Sequence, residues 1–169
     1  MIEIKAKLKA ARAAYKLEVK GRLRLPFALR QQRGAKAKLE SGEEVVLSLP
    51  RGEVLRGGDL VTASDGRVVE VQAVAEKLLR ASLPGAAELA LAAYRLGDGH
   101  VPVEFRPDGL RVAADAAVER MLRELGAKLS EVEAPFEPVV PPHEREHAEG
   151  HGHRAHHDHG HDHDHGHKH

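Results

Sequence analysis

Through the first part of the chain, apolar and polar positions alternate residue by residue. Leu17, Val19, Leu23 and Leu25 alternate with Glu18, Lys20, Arg22 and Arg24 around Gly21. This is the period-two pattern of a half-buried strand, and Pro26 ends it. Ala35, Ala37 and Leu39 alternate with Lys36, Lys38 and Glu40, and Ser41-Gly42 supplies a hairpin-type turn. Residues 44–49 read as another short strand, stopped by Pro50. Gly57-Gly58-Asp59, the apolar run 60–63, the turn Ser64-Asp65-Gly66 and the strand 68–71 complete the series. The residues before Leu17 read as a basic, Ala-containing opening segment. Many short strands with Gly, Pro and Asp turns predict a small all-β barrel or sandwich over residues 1–73.

From residue 74 the period changes. Residues 77–82 read as a strand, and Pro84-Gly85 opens an Ala- and Leu-rich helix that runs to Leu96 and stops at Gly97-Asp98-Gly99. Val101, Val103 and Phe105 then alternate with Pro102, Glu104 and Arg106, a strand that Pro102 assigns to a sheet edge. Pro107-Asp108-Gly109 turns the chain into Leu110-Arg111-Val112. Asp115 is a candidate N-cap. After it Val118, Met121, Leu122 and Leu125 fall at i, i+3, i+4 and i+7, one apolar helix face. Gly126 stands where a left-handed C-terminal residue belongs, and residues 127–132 form the last strand. The order β-α-β-β-α-β predicts a ferredoxin-like domain over residues 74–142, and so an α+β chain.

Composition changes the picture beyond that point. Of 13 histidines, 12 lie between residues 143 and 169. This tail has three basic and six acidic residues, a charge of −3 with neutral imidazoles that leaves +3 for residues 1–142. Pro138, Pro141 and Pro142 mark the junction as a linker. With no Val, Leu, Ile, Met or aromatic residue, residues 143–169 cannot bury enough apolar surface to offset their ordering entropy, and a disordered tail is expected. Its candidate ligands are His143, His147, His151, His153, His156, His157, His159, His161, His163, His165, His167 and His169. Neutral imidazole suits nickel, zinc and copper, and His-rich tracts are read as metal-binding on composition. A purification tag and a pH-responsive solubilising tail are the competing readings.

The remaining composition mainly excludes. Lys plus Arg equals Asp plus Glu, 26 each, which argues against a nucleic-acid partner, since binding phosphates needs excess cations. Absence of Cys removes disulfides, thiolate metal sites and a Cys nucleophile. Five aromatic residues and no Trp leave an aliphatic core. No apolar run reaches the ~20 residues needed to span a bilayer. The opening residues lack a secretory signal, so a soluble, cytoplasmic protein is expected. No phosphate-binding loop, dinucleotide fingerprint, nucleophile elbow or HExxH helix is present, and no catalytic constellation can be assembled. His100, alone in the body, is either a structural surface residue or a ligand that a two-fold axis would pair with its copy. Residues 51–59 are either a turn-rich loop or a docking surface for a partner polypeptide.

Leu49-Pro50-Arg51-Gly52-Glu53-Val54-Leu55-Arg56-Gly57-Gly58-Asp59 resembles the signature loop of the UreE family, the urease accessory nickel metallochaperones. Tyr94-Arg95-Leu96-Gly97-Asp98-Gly99-His100-Val101-Pro102 resembles that family's AYxLGNxHxP segment, with Asp98 where Asn is usual. Met121-Leu122-Arg123-Glu124-Leu125-Gly126, Pro135-Phe136-Glu137-Pro138 and the His-rich C-terminus agree with it in order and spacing. The resemblance implies an N-terminal β domain of peptide-binding type and a ferredoxin-like metal-binding domain. It implies a homodimer, with metal-linked tetramers as an open question, and His100 contributed by both subunits to one nickel site. It also implies delivery of Ni(2+) to apo-urease in an activation complex with an accessory GTPase. Zn(2+) and Cu(2+) remain alternative ions for the same donors. The residues 112–117 depart from members that carry extra His ligands there, and leave Asp115 as the substitute if it is free of a capping role. A nickel or zinc store with no delivery target is the alternative reading, a peptide-binding module is a third, and an enzyme ranks last.

Overall fold

The computed structural model describes residues 2–8 and 17–139. The expected disordered tail and its twelve histidines lie outside the described residues. The first sheet contains β1 (Ile2–Lys7), β2 (Val19–Leu25), β3 (Lys36–Lys38), β4 (Glu44–Leu47), β5 (Leu60–Ala63) and β6 (Val68–Ala73), with the single-turn helix α1 (Phe27–Arg30) between β2 and β3. Its strand order is β2-β6-β5-β1-β4-β3. The two outer strands meet, because Leu23 pairs with Leu39 and the Glu40 amide donates to Arg22 O at 3.0 Å. The sheet therefore closes on itself around Ile4, Leu23, Leu39, Val45, Leu47, Val61, Val69 and Val71, all buried.

The expected strands 60–63 and 68–71 appear there, the second extended to Ala73. The opening segment does more than expected. Residues 2–7 form a strand in the middle of the sheet, parallel to β4 and antiparallel to β5. Ile4 from this strand is fully buried.

The second unit runs β7 (Ala75–Ser82), α2 (Ala86–Asp98), β8 (Glu104–Arg106), β9 (Gly109–Ala113), α3 (Ala116–Glu124) and β10 (Lys128–Pro135). Its sheet has the order β10-β7-β9-β8 with every pairing antiparallel. The element order is the β-α-β-β-α-β succession the sequence predicts, and β8 is an edge strand as Pro102 requires. The helices pack on this sheet through Ala92 and Leu96 of α2 and Leu122 of α3, against Leu79, Ala81, Leu110 and Val112.

One expectation is inverted. The alternation around Val103 predicts Phe105 inward and Glu104 outward, but Glu104 is buried and Phe105 is 52% exposed. The Glu104 carboxylate lies 3.4 Å from Arg106 and 3.9 Å from Arg111, and it accepts from the Glu137 amide at 3.5 Å. Polar partners on the inner side of this edge draw in the carboxylate and leave the ring outside.

The two cores meet through a third, small cluster: Phe27 from α1, Leu78 from β7 and Phe136 beyond β10. The two rings stand edge to face with centroids 5.4 Å apart, a favoured aromatic geometry.

Candidate metal centre

Helix α2 carries two apolar stripes. Leu89, Ala92, Ala93 and Leu96 face the core, while Ala87, Ala90, Leu91 and Tyr94, also at i, i+3, i+4 and i+7, are exposed. Leu91 is 42% and Tyr94 70% exposed.

The helix ends in a Schellman motif. Gly99 is the C-cap, the His100 amide donates to Gly97 O at 3.0 Å, and the Val101 amide donates to Leu96 O at 2.8 Å. His100 is thereby the left-handed residue, with φ +54°, and no other non-glycine among the described residues has positive φ. The sequence reading put the helix stop on the glycines. The structure continues the helix to Asp98 and gives the left-handed position to histidine instead. Helix α3 ends in the same motif, with the Gly126 and Ala127 amides bonded to Arg123 O and Leu122 O and φ +79° at Gly126. One of two equivalent positions holds the residue sterics favour, and the other holds an imidazole. A side chain kept in a strained conformation points to a functional demand at that position.

The His100 side chain is exposed and has no hydrogen-bond or ion-pair partner among the described residues. Among the described residues, no group of three or more His, Asp or Glu side chains gathers there either. One chain thus offers a single imidazole on a rigid turn, at the end of the exposed α2 stripe. Asp115 is engaged as the N-cap of α3: its Oδ1 accepts from the Ala117 and Val118 amides at 2.9 and 3.0 Å.

A second polar constellation, which the sequence reading did not find, joins the two units. Arg30 is completely buried. Its Nη1 donates to Leu55 O at 3.0 Å and to Glu137 Oε1 at 2.9 Å, and its Nη2 donates to Phe136 O. Glu137 also accepts from Arg56 Nη1 at 3.0 Å and from the Gly57 amide at 2.9 Å. Partial burial pushes the Glu137 carboxyl up, but the Gly57 amide, Arg56 and Arg30 outweigh it and hold it below the ordinary carboxylate value. The loop 51–59 is thus turn-rich, with Gly52 and Gly58 at positive φ, and its Arg56 side chain and Gly57 amide hold Glu137 of the same chain. Nothing local distinguishes Arg30 from its exposed basic neighbours, so no sequence signal could have exposed its burial.

Residues 4–74 match the model of the UreE urease accessory protein N-terminal domain, and residues 76–169 match that of the UreE C-terminal domain. The chain belongs to the UreE family. It is 44% identical over 130 residues to the urease accessory protein UreE of Ralstonia nicotianae, covering 77% of this chain and 62% of that one. Identity to the UreE of Cupriavidus necator is 45% over 130 residues, covering 77% and 68%. To the UreE of Paraburkholderia xenovorans it is 42% over 129 residues, covering 76% and 57%. The chain thus spans about three fifths of the length of the curated relatives it matches. Three of the segments by which the sequence resembles UreE fall at two places in the fold, and residues 121–126 close helix α3. Residues 94–102 build the His100 turn, while 49–59 and 135–138 build the Arg30–Glu137 junction. No described helix is long and apolar enough to cross a membrane.

Proposed function

We propose that this chain is a nickel metallochaperone of urease maturation, acting in the cytoplasm as a homodimer and without enzymatic activity. The observation that carries this reading is His100, a strained imidazole without a partner among the described residues, at the end of an exposed apolar stripe. A two-fold axis beside that stripe would bury Leu91 and Tyr94 and bring two His100 rings together. Two imidazoles with open positions make a labile nitrogen site, which suits transfer better than a closed four-ligand one. The tail histidines, His143 through His169, collect Ni(2+) and complete the coordination. The ion then passes by ligand exchange to apo-urease held with its accessory GTPase.

The fold reading that goes with this has a closed six-stranded barrel over residues 1–73 as the partner-docking unit and a ferredoxin-like unit over 74–142 as the metal-binding one. The sheet order β10-β7-β9-β8 supports the second, since that fold places its first and third strands at the centre. Imidazole binds metal only when neutral, so acidification releases the ion.

The test is calorimetric nickel titration of the full chain beside its His100→Ala variant, with the mass of each measured by light scattering. The reading expects His100→Ala to lose the tightest ion, one per two chains, while the dimer persists. It expects Leu91→Glu with Tyr94→Glu to give monomers that lose the same ion. Unchanged titration by His100→Ala would assign all metal to the tail, and the storage reading would replace delivery.

A further inference from the structure

We propose that the second sheet, at the uncovered end of the face turned away from its helices, docks an acidic segment of a partner polypeptide through Arg80, Arg106 and Arg111.

Alternation along the strands gives this sheet two faces. Leu79 and Ala81 of β7 and Leu110 and Val112 of β9 point into the core beneath the helices. Arg80 and Arg111, each lying between two of these, therefore point the other way. Register aligns them in one row across the sheet: Ser130 on β10, Arg80 on β7, Arg111 on β9 and Glu104 on β8. Arg106 is two residues from Glu104 and shares its face. The opposite end of the same face is apolar, where Leu78, Val132 and Ala134 meet Phe27 and Phe136. Cover ends one step along the strands, where the arginine row begins.

The row is built against its own electrostatics. Arg80 and Arg111 stand directly opposite each other, and like charges so placed destabilise a strand pair. Neutralisation is partial. Arg80 pairs with the exposed Asp108, while Arg106 and Arg111 share Glu104 at 3.4 and 3.9 Å. Lys128, opposite Ser82 on this face, is exposed and has no ion-pair partner among the described residues. Four cations thus meet two carboxylates. Arg111 Nε is also buried without a hydrogen-bond partner, a cost that an incoming carboxylate held across the guanidinium fork would remove.

Guanidiniums recognise carboxylates through paired donors, and this row already holds two of them, Asp108 and Glu104. Single-stranded RNA is read by stacking its bases on aromatic side chains, and this end of the face offers none. Phe105 belongs to the other face, since it pairs with Leu110. The chain's equal totals of acidic and basic residues point the same way. A segment rich in Glu or Asp is the occupant that this chemistry selects.

The test is fluorescence anisotropy of a labelled twelve-residue peptide, alternating Glu and Gly, titrated with the full chain. Chemical-shift mapping of the unaltered chain accompanies it. The peptide should shift amides in residues 80–82, 104–111 and 128–130 and leave those of the first unit in place. Arg80→Gln and Arg111→Gln should each weaken binding about tenfold, the loss expected for one charge-assisted contact. Lys36→Gln with Lys38→Gln, which removes two exposed cations of β3 in the first unit, should alter it less than twofold. Equal losses from the β3 changes, or shifts spread over the first unit, would mean attraction to positive charge in general and would overturn the proposal. Absence of saturable binding would overturn it too, as would tighter binding of a twelve-residue oligouridylate. Dissociation of a dimer in Arg80→Gln, read by light scattering, would assign the face to a second copy of this chain instead. The shift map needs no variant, so it decides the question if Arg111→Gln fails to fold.

Discussion

His100 and Gly126 form a matched pair within one molecule. Both are the left-handed residue of a Schellman motif that closes a helix onto the same sheet, and only one of them has a Cβ. For a residue with a Cβ, that conformation costs about 1 kcal/mol or more. His100→Gly removes this cost, at the expense of a freer unfolded chain. The expected net gain is about 0.5–1 kcal/mol, read as a higher urea midpoint at unchanged slope. Nickel binding by the body should disappear in the same variant, separating function from stability in opposite directions. A lower midpoint would mean that the imidazole is there for the fold. The sequence placed the helix stop at Gly97-Asp98-Gly99, within three residues of the truth, and did not mark His100 as the left-handed residue. The frame is set one residue later, where Val101 packs beside Leu96 and so fixes the residue between it and the C-cap as the left-handed one.

At the scale of single elements, α3 was the most legible. Its apolar face, its N-cap and its terminal glycine were all written locally, and the structure has Leu122 buried, Asp115 capping and Gly126 at φ +79°. Asp115→Ala should cost about 1 kcal/mol by leaving the Ala117 and Val118 amides without their acceptor. Nickel affinity should not change, since the carboxylate is engaged in the cap. A fall in affinity at undiminished helicity, followed by circular dichroism and calorimetry, would return Asp115 to the ligand set. Strand β1 was illegible for the opposite reason. Its partners, β4 and β5, lie some forty and sixty residues away in sequence, and a parallel pairing of that kind leaves no turn signal beside it. Glu104 was misplaced because alternation reports where apolar residues would go. Arg106, one partner of this carboxylate, lies in the same strand, but Arg111 and the Glu137 amide come from other segments that the alternation does not report.

For the whole molecule, the question is what makes two units with separate cores behave as one body. The cores share no residue, and the cluster between them centres on Phe27, Leu78 and Phe136 beside the Arg30–Glu137 pair. Phe136 is 2% exposed, and truncating a buried Phe to Ala costs about 3–5 kcal/mol. That cost falls on the contact between the units rather than within either sheet. In Phe136→Ala, each sheet keeps its own core but loses most of the apolar surface that couples its melting to the other's. Calorimetry of the full chain should therefore change from one cooperative transition to two, with the lower one shifted most. A single transition at reduced temperature would mean that the polar contacts alone couple the units, namely Arg30 and Arg56 on Glu137 and the Phe27 amide on Glu76 at 2.7 Å. The first outcome assigns the cohesion of the two units to the rings. The second assigns it to the charges, and a variant of Glu137 would then separate the two transitions that Phe136→Ala leaves joined.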